Sequence, residues 1–296
     1  MKKLFIATSS FYRIGNKFRN YLKKKNFSIK FNPYKRKLKE DELINLAHDA
    51  NYIIAGTENY NSKVINKLSK LQHLFRLGSG TDNIDLDLLY KKKIKFSKSK
   101  ITPEIAVAEL IVGYIFSLYR DIYLHNYNLK NNIWSKKMGF TLNGKILGII
   151  GYGKIGKYLK KILKNFKVKF LIYDKKKRKN NNSSLTKLIK NSDIISLNVS
   201  LLNKDLILDK KNLKMIKKNS IVINTSRSEI LDYEYLYNLL KKKKILGAAL
   251  DVFPKEPYHG KFSKLNNVIL TPHIGSYAKE IRVRMEEEAI SKIISS

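Results

Sequence analysis

Residues 145–174, KILGIIGYGKIGKYLKKILKNFKVKFLIYD, constrain this chain more than any other stretch. A short β-branched apolar run at 146–150 reads as a buried strand. It leads into G-x-G-x-x-G at Gly151, Gly153 and Gly156. Apolar residues at helical spacing follow (Ile155, Leu159, Ile162, Leu163, Phe166), then a second strand-like run at 168–173 that ends on Asp174. The first glycine permits a tight strand-to-helix turn, the second lets backbone approach a pyrophosphate, and the third lets helix pack close to strand. The free N–H groups of the helix N-terminus then face the phosphates. An acid at the end of the second strand can accept hydrogen bonds from an adenosine ribose. Glycine turns without a ligand are common, but here strand, glycines, helix, strand and acid occur in order within about 30 residues, the size of a dinucleotide-binding unit.

A chain of 296 residues exceeds one small core, so two domains are expected. The net charge of +36 would ordinarily point to nucleic acid or an anionic surface. Here the charge is carried mostly by lysine and spread along the whole chain. The sequence is also rich in Asn, Ile, Tyr and Phe and poor in Gly and Pro, the pattern of a strongly AT-biased coding sequence. The charge therefore reads as solvated surface, no nucleic-acid partner is expected, and steering of anionic substrates is compatible with it. There is no cysteine, hence no disulfide or thiolate chemistry. The apolar core of the N-terminal segment is only residues 4–7, which reads as a first strand. No apolar run approaches the ~18 residues that span a bilayer. A soluble, cytoplasmic protein without a membrane partner is expected.

Residues 1–98 alternate short strand candidates (4–8, 27–31, 52–55, 74–77, 94–96) with helical segments (14–24, 40–47, 62–68, 86–90). That β-α-β-α order implies a parallel sheet covered by helices. The glycine-bearing loop 76–85, RLGSGTDNID, follows a strand end, where open α/β sheets place ligands; a polar turn capping the next helix is the other reading. Pro103 opens a long apolar helix that extends through Leu118 and is expected to run on toward Leu129. Its length and apolarity suit a core or, in part, a subunit interface. After Asp174 the alternation resumes: helices at 185–189, 211–215 and 233–240, and strands at 194–199, 221–224, 245–250 and 268–270.

Three further stretches lie in order behind the dinucleotide unit: NTSRSEILD at 224–232, DVFPKEP at 251–257 and TPHIGS at 271–276. With the GSGTDNID loop they resemble the D-isomer-specific 2-hydroxyacid dehydrogenases over nearly the whole chain, the phosphoglycerate dehydrogenase branch most. The resemblance implies two doubly wound parallel-sheet α/β domains. A flavodoxin-like substrate domain would comprise residues 1–98 completed by the helix at 280–296. An inserted Rossmann NAD domain would comprise residues 99–279, with the active site in the cleft between the two. It implies hydride transfer between a D-2-hydroxy acid and its 2-keto acid. That chemistry needs a proton donor or acceptor at the substrate oxygen and a cation to hold the carboxylate and polarise the carbonyl.

By resemblance, His273 is the acid/base, Glu256 its carboxylate partner, and Arg227 the cation. Backbone N–H groups of Ser79 and Gly80 hold the other side of the substrate carboxylate. The cofactor is contacted by Gly151, Gly153, Lys154, Ile155 and Gly156 at the turn, by Asp174 at the ribose, and by Val199, Thr225 and Ser226 along the strand ends. Asp251, Gly275 and Ser276 complete the nicotinamide side, and no metal is implied. Asp174 would repel a 2′-phosphate, which favours NAD over NADP; the basic run 175–179 offsets part of that repulsion. A homodimer is implied, with residues 103–130 as the contact.

The sequence departs from the family pattern at Ser228, where glycine is usual, and at Asn198 and Ser200, where histidine and proline are common. At Ala55, phosphoglycerate dehydrogenases often carry an arginine that grips the substrate phosphate; Lys63 is a substitute within the same region. A glyoxylate or hydroxypyruvate reductase is therefore the alternative activity. A non-catalytic dinucleotide-sensing co-repressor is the alternative from another class, disfavoured by the intact Arg227, Glu256 and His273.

Overall fold

The computed structural model describes residues 1–9, 11, 16–175, 183–199 and 206–296. Residues 14 and 15 of the expected first helix, lysines 176, 177 and 179 of the basic run, and Ser200 lie outside the described residues. The chain divides into two compact units, Met1–Thr102 with Tyr277–Ser296, and Pro103–Ser276.

In the first unit, five described strands pair in parallel: β1 (Lys2–Ile6), β2 (Phe27–Phe31), β3 (Tyr52–Ala55), β4 (His73–Arg76) and β5 (Lys95–Lys98). Their order is β2-β1-β3-β4-β5. The intervening helices are α1 (Asn16–Lys24), α2 (Glu40–Ala47), α3 (Ser62–Lys67) and α4 (Leu86–Lys91), and the C-terminal helix Lys279–Ile294 packs against β4. β3 and β4 are buried along their whole length, as expected for parallel strands covered on both faces. Asn61 and Asp85 start α3 and α4 where sequence chemistry favours it: each side chain accepts from a backbone N–H in the first turn, Val64 and Leu88 respectively.

The second unit opens with α5 (Glu104–Tyr119) and α6 (Ile122–Lys130). A continuous helix toward Leu129 is not what forms. Asp121 takes a left-handed conformation, φ 46°, and breaks the helix after Arg120. α5 is packed into the core, whereas α6 buries none of its residues. Then follow β6 (Ile146–Ile150), α7 (Lys154–Leu163), β7 (Lys169–Tyr173), α8 (Leu185–Asn191), β8 (Ile194–Leu197), α9 (Lys210–Leu213), β9 (Ile221–Asn224), α10 (Tyr233–Lys241), β10 (Gly247–Leu250) and β11 (Val268–Leu270). The described strands pair in parallel in the order β11-β10-β9-β8-β6-β7. The chain goes outward from β6 to β7, then returns to β8 on the other side of β6. This reversal makes the C-terminal end of β6 a topological switch point, the usual ligand position in open α/β sheets. Phe166, expected on the helix face, lies instead in a 3-10 turn after α7 and is exposed. Among the described residues, no helix is long and apolar enough to cross a membrane.

Candidate active site

The three glycines of the motif lie at the switch point. Gly151 has φ +92°, and a Cβ there would come within 2.6 Å of the Asn198 carbonyl and 2.7 Å of the Val199 side chain. Only glycine fits that turn without displacing backbone. A Cβ on Gly156 would lie 2.5 Å from the Gly151 carbonyl, so the third glycine lets α7 close onto the turn. A Cβ on Gly153 would meet nothing within 4 Å among the described residues, and glycine as the N-cap of α7 offers no capping side chain. The helix N-terminus directs backbone N–H groups and the positive end of the helix dipole toward that space, a fit to a pyrophosphate. Lys154 and Ile155 form the first turn of α7. Asp174, directly after β7, accepts a hydrogen bond from Tyr152 N at 2.8 Å, which ties the acid to the glycine turn. The residues present therefore fit a dinucleotide.

Thr225 and Ser226 follow β9. Ser226 Oγ donates to the Leu197 carbonyl at 2.9 Å, and its N–H donates to Asn224 Oδ1 at 3.0 Å. Its hydroxyl thus joins the ends of β8 and β9. Asn224 is wholly buried and also donates from Nδ2 to the Arg227 carbonyl at 2.8 Å. Asn224 fixes the turn that presents Arg227, a role that sequence reasoning missed although the residue begins the quoted motif. The Arg227 guanidinium donates from Nη1 to the Ser226 carbonyl at 2.8 Å. Ser228, in place of the usual glycine, has no left-handed φ; its hydroxyl donates to Glu229 at 3.0 Å.

His273 and Glu256 are brought into direct contact, His273 Nδ1 to Glu256 Oε2 at 3.2 Å. The other Glu256 oxygen accepts from Phe253 N at 3.2 Å, which orients the carboxylate. With Nδ1 engaged by a carboxylate, Nε2 is the nitrogen left to exchange a proton with a substrate oxygen. His273 adopts φ +57°, a conformation uncommon outside glycine and found at sites that over-determine it. Asp251 provides that determination. Its carboxylate is fully buried and accepts from Ile274 N and Gly275 N, each at 2.8 Å, and from the Thr271 hydroxyl at 2.6 Å. The Tyr114 hydroxyl of α5 hydrogen-bonds the same threonine. Burial pushes the Asp251 carboxyl up, and these donors with the nearby His273 oppose that push. Gly275 sits so close that a Cβ would lie 3.2 Å from Asp251 Oδ2. Ser276 ends the unit. Thr271 and Tyr114 were not singled out from sequence; the threonine's place two residues before His273 was the available signal.

In the first unit, Ser79 and Gly80 lie on the loop after β4. Arg76, the last residue of β4, is buried and donates from Nη1 to the Leu77 carbonyl at 2.6 Å and from Nε to the Gly80 carbonyl at 3.1 Å. Asn83 Nδ2 donates to the carbonyls of Gly56 (3.2 Å) and Glu58 (2.5 Å), which binds this loop to the one after β3. The Ala55 side chain is fully buried at the end of β3. Lys63 donates to Asp41 at 2.9 Å and lies 3.8 Å from Glu40.

Comparison with known proteins identifies the family. Residues 112–275 match the NAD binding domain of the D-isomer specific 2-hydroxyacid dehydrogenases, and residues 6–144 match their catalytic domain. The chain is 32% identical to the glyoxylate reductase of Thermococcus litoralis over 257 residues, covering 81% of this chain and 78% of that one. It is 35% identical over 257 residues to the D-3-phosphoglycerate dehydrogenase of Methanocaldococcus jannaschii, covering 82% of this chain but 49% of that enzyme, about half its length. The D-lactate dehydrogenase of Aquifex aeolicus, solved with NAD and lactic acid, superimposes with a TM-score of 0.81 at 26% identity, covering 99% of this chain and 94% of that one. The chain belongs to the D-isomer specific 2-hydroxyacid dehydrogenases, NAD-dependent oxidoreductases that act on CH–OH donors.

Proposed function

We propose that the protein reduces a small unphosphorylated 2-keto acid of the glyoxylate or hydroxypyruvate type to its D-2-hydroxy acid, and the reverse. The observation that carries this reading is the pair Ala55 and Lys63. Where an arginine would grip a phosphate stands a buried methyl group, and Lys63 is paired with Asp41. His273 gives its Nε2 proton to the carbonyl oxygen as the alcohol forms and takes it back in oxidation. Glu256 stabilises the imidazolium and holds the ring. Arg227 binds the substrate carboxylate and polarises the carbonyl. The N–H groups of Ser79 and Gly80 bind the substrate carboxylate on the first unit. The glycine turn, α7 N-terminus and Asp174 hold NAD, which supplies or accepts the hydride when bound.

A phosphorylated substrate is the second reading, favoured by the likeness to the Methanocaldococcus enzyme. NADH oxidation by the purified protein with glyoxylate, hydroxypyruvate, pyruvate and phosphohydroxypyruvate separates the two. Higher kcat/KM for an unphosphorylated acid is expected; a clear preference for phosphohydroxypyruvate would replace this reading with the second.

The working form is a homodimer, with α6 and the segment after it as the contact. Ile122, Tyr127, Leu129 and Ile133 are exposed there, with Trp134 80% and Met138 94% exposed, an apolar grouping larger than scattered surface residues. Light scattering should give twice the mass of 34.4 kDa, and Trp134→Lys should shift it toward the monomer; a monomeric wild-type protein would remove the proposal.

A further inference from the structure

Glu58 has no part in the mechanism above, yet it is 1% exposed on the loop after β3. Its Oε2 accepts from Gly56 N at 2.7 Å. A Cβ on Gly56 would lie 2.9 Å from the same oxygen, so the carboxylate lies directly over that glycine. β3 and β4 are adjacent and parallel, with Ala55 opposite Arg76, so the segments leaving them run side by side at the ligand-binding end of the sheet. Asn83 clamps them together through the carbonyls of Gly56 and Glu58.

The surroundings are those of an anion-accepting corner. Arg76 and Lys37 act on Glu58 as positive charges, and with the backbone N–H groups they oppose the burial that pushes its carboxyl up. Tyr60 is wholly buried and within electrostatic range of both Glu58 and Arg76, and its hydroxyl has no hydrogen-bond partner among the described residues. A buried hydroxyl without a partner is rare in folded proteins, and here it sits at the edge of the packed core that holds the Tyr60 ring. A buried carboxylate is equally rare unless something requires it there.

We propose that Glu58 is a specificity-determining residue: its carboxylate fills the anion-accepting corner beside the loop that binds the substrate carboxylate. It thereby restricts the enzyme to acids whose only negative charge is the reacting carboxylate. The inference rests on the assignment of Ser79 and Gly80 to the substrate carboxylate. A substrate held there extends its remaining atoms toward the neighbouring loop from β3. A second anionic group there finds Gly56 N–H already taken by Glu58 and faces the Glu58 charge at short range, and like charges brought close are disfavoured.

The test compares wild-type protein, Glu58→Gln and Glu58→Ala, each checked for folding by circular dichroism. The ratio of kcat/KM for phosphohydroxypyruvate to that for hydroxypyruvate should rise at least about tenfold in Glu58→Gln, which keeps the shape and removes the charge, and further in Glu58→Ala. Calorimetry with inorganic phosphate should show binding to Glu58→Ala that the wild-type protein lacks. If Glu58→Ala does not fold, Glu58→Gln carries both readouts. A wild-type preference for phosphohydroxypyruvate overturns the inference, as does a ratio within twofold of wild type in folded variants. If the wild-type protein turns over neither acid, the proposed function fails on its own, and phosphate calorimetry decides the role of Glu58: gained binding supports it and no gain overturns it.

Discussion

The loop after β4 in the first unit and the loop after β11 in the second are both fixed by a buried ion, but of opposite sign. Arg76 reaches forward and takes two loop carbonyls, those of Leu77 and Gly80. Asp251 reaches across from the end of β10 and takes two loop N–H groups, those of Ile274 and Gly275. A cation that engages carbonyls suits a loop whose N–H groups are to meet a substrate anion. An anion that engages N–H groups suits a loop whose task is to hold one side chain, His273, in an uncommon backbone conformation. On the proposed function, the sign of the buried ion separates a loop that would bind through its backbone from a loop that would work through a side chain. It also explains why each ion survives burial: every one carries several strong hydrogen bonds.

The comparison breaks most visibly at the side chain that the second loop presents. His273→Ala, and equally Arg227→Ala, should lower kcat by about 10²–10⁴-fold with little change in Tm, because proton transfer and carbonyl polarisation are lost while packing is kept. Near-normal kcat in either variant would detach the reaction from this loop. Next in size are the buried ions themselves. Arg76→Met should raise KM for the keto acid about tenfold or more while leaving NAD affinity unchanged. Asp251→Asn keeps one acceptor but leaves a buried N–H unpaired, a loss of about 1–3 kcal/mol that should fall on kcat and stability. Steady-state kinetics on both variants would sink the distinction if the two changed the same parameter.

Much of this was legible in the sequence because its cause is local. The glycine motif, the periodic helix behind it and the acid at Asp174 each follow from what a residue type allows its own backbone, and the structure places them together at one turn. The motif containing His273 and the one containing Glu256 could be quoted, but that they meet at 3.2 Å depends on the parallel pairing of β10 with β11, a non-local fact. Arg76 and Asn83 stand within the loop 76–85 without a role legible from sequence, because their work is done on backbone groups of another loop or of their own. Asp251, expected beside the nicotinamide, also accepts from the Ile274 and Gly275 N–H groups of the loop after β11, which its place in the sequence does not show. The end of α5 was misjudged because nothing in the apolar periodicity marks the left-handed turn at Asp121.

The smallest expected effect separates the two units by pH. His73 in β4 is buried with Nε2 on the Ser97 hydroxyl at 2.6 Å and Nδ1 on that of Ser296 at 2.7 Å. Burial, with Lys95 nearby, lowers it from 6.5 to about 4. Between those values the unfolded chain carries a proton there that the folded chain does not, so stability is full above pH 6.5 and falls as pH drops toward 4. The loss is on the order of 1–2 kcal/mol after solvent screening, several degrees in Tm. Asp251 in the second unit has the opposite sign: its raised carboxyl binds a proton more readily when folded, so falling pH relieves a penalty there. Thermal unfolding between pH 7 and 4.5 should show a decline that His73→Gln flattens and Asp251→Asn makes steeper. Equal slopes in wild type and His73→Gln would assign the acid sensitivity to other groups and remove this difference between the units.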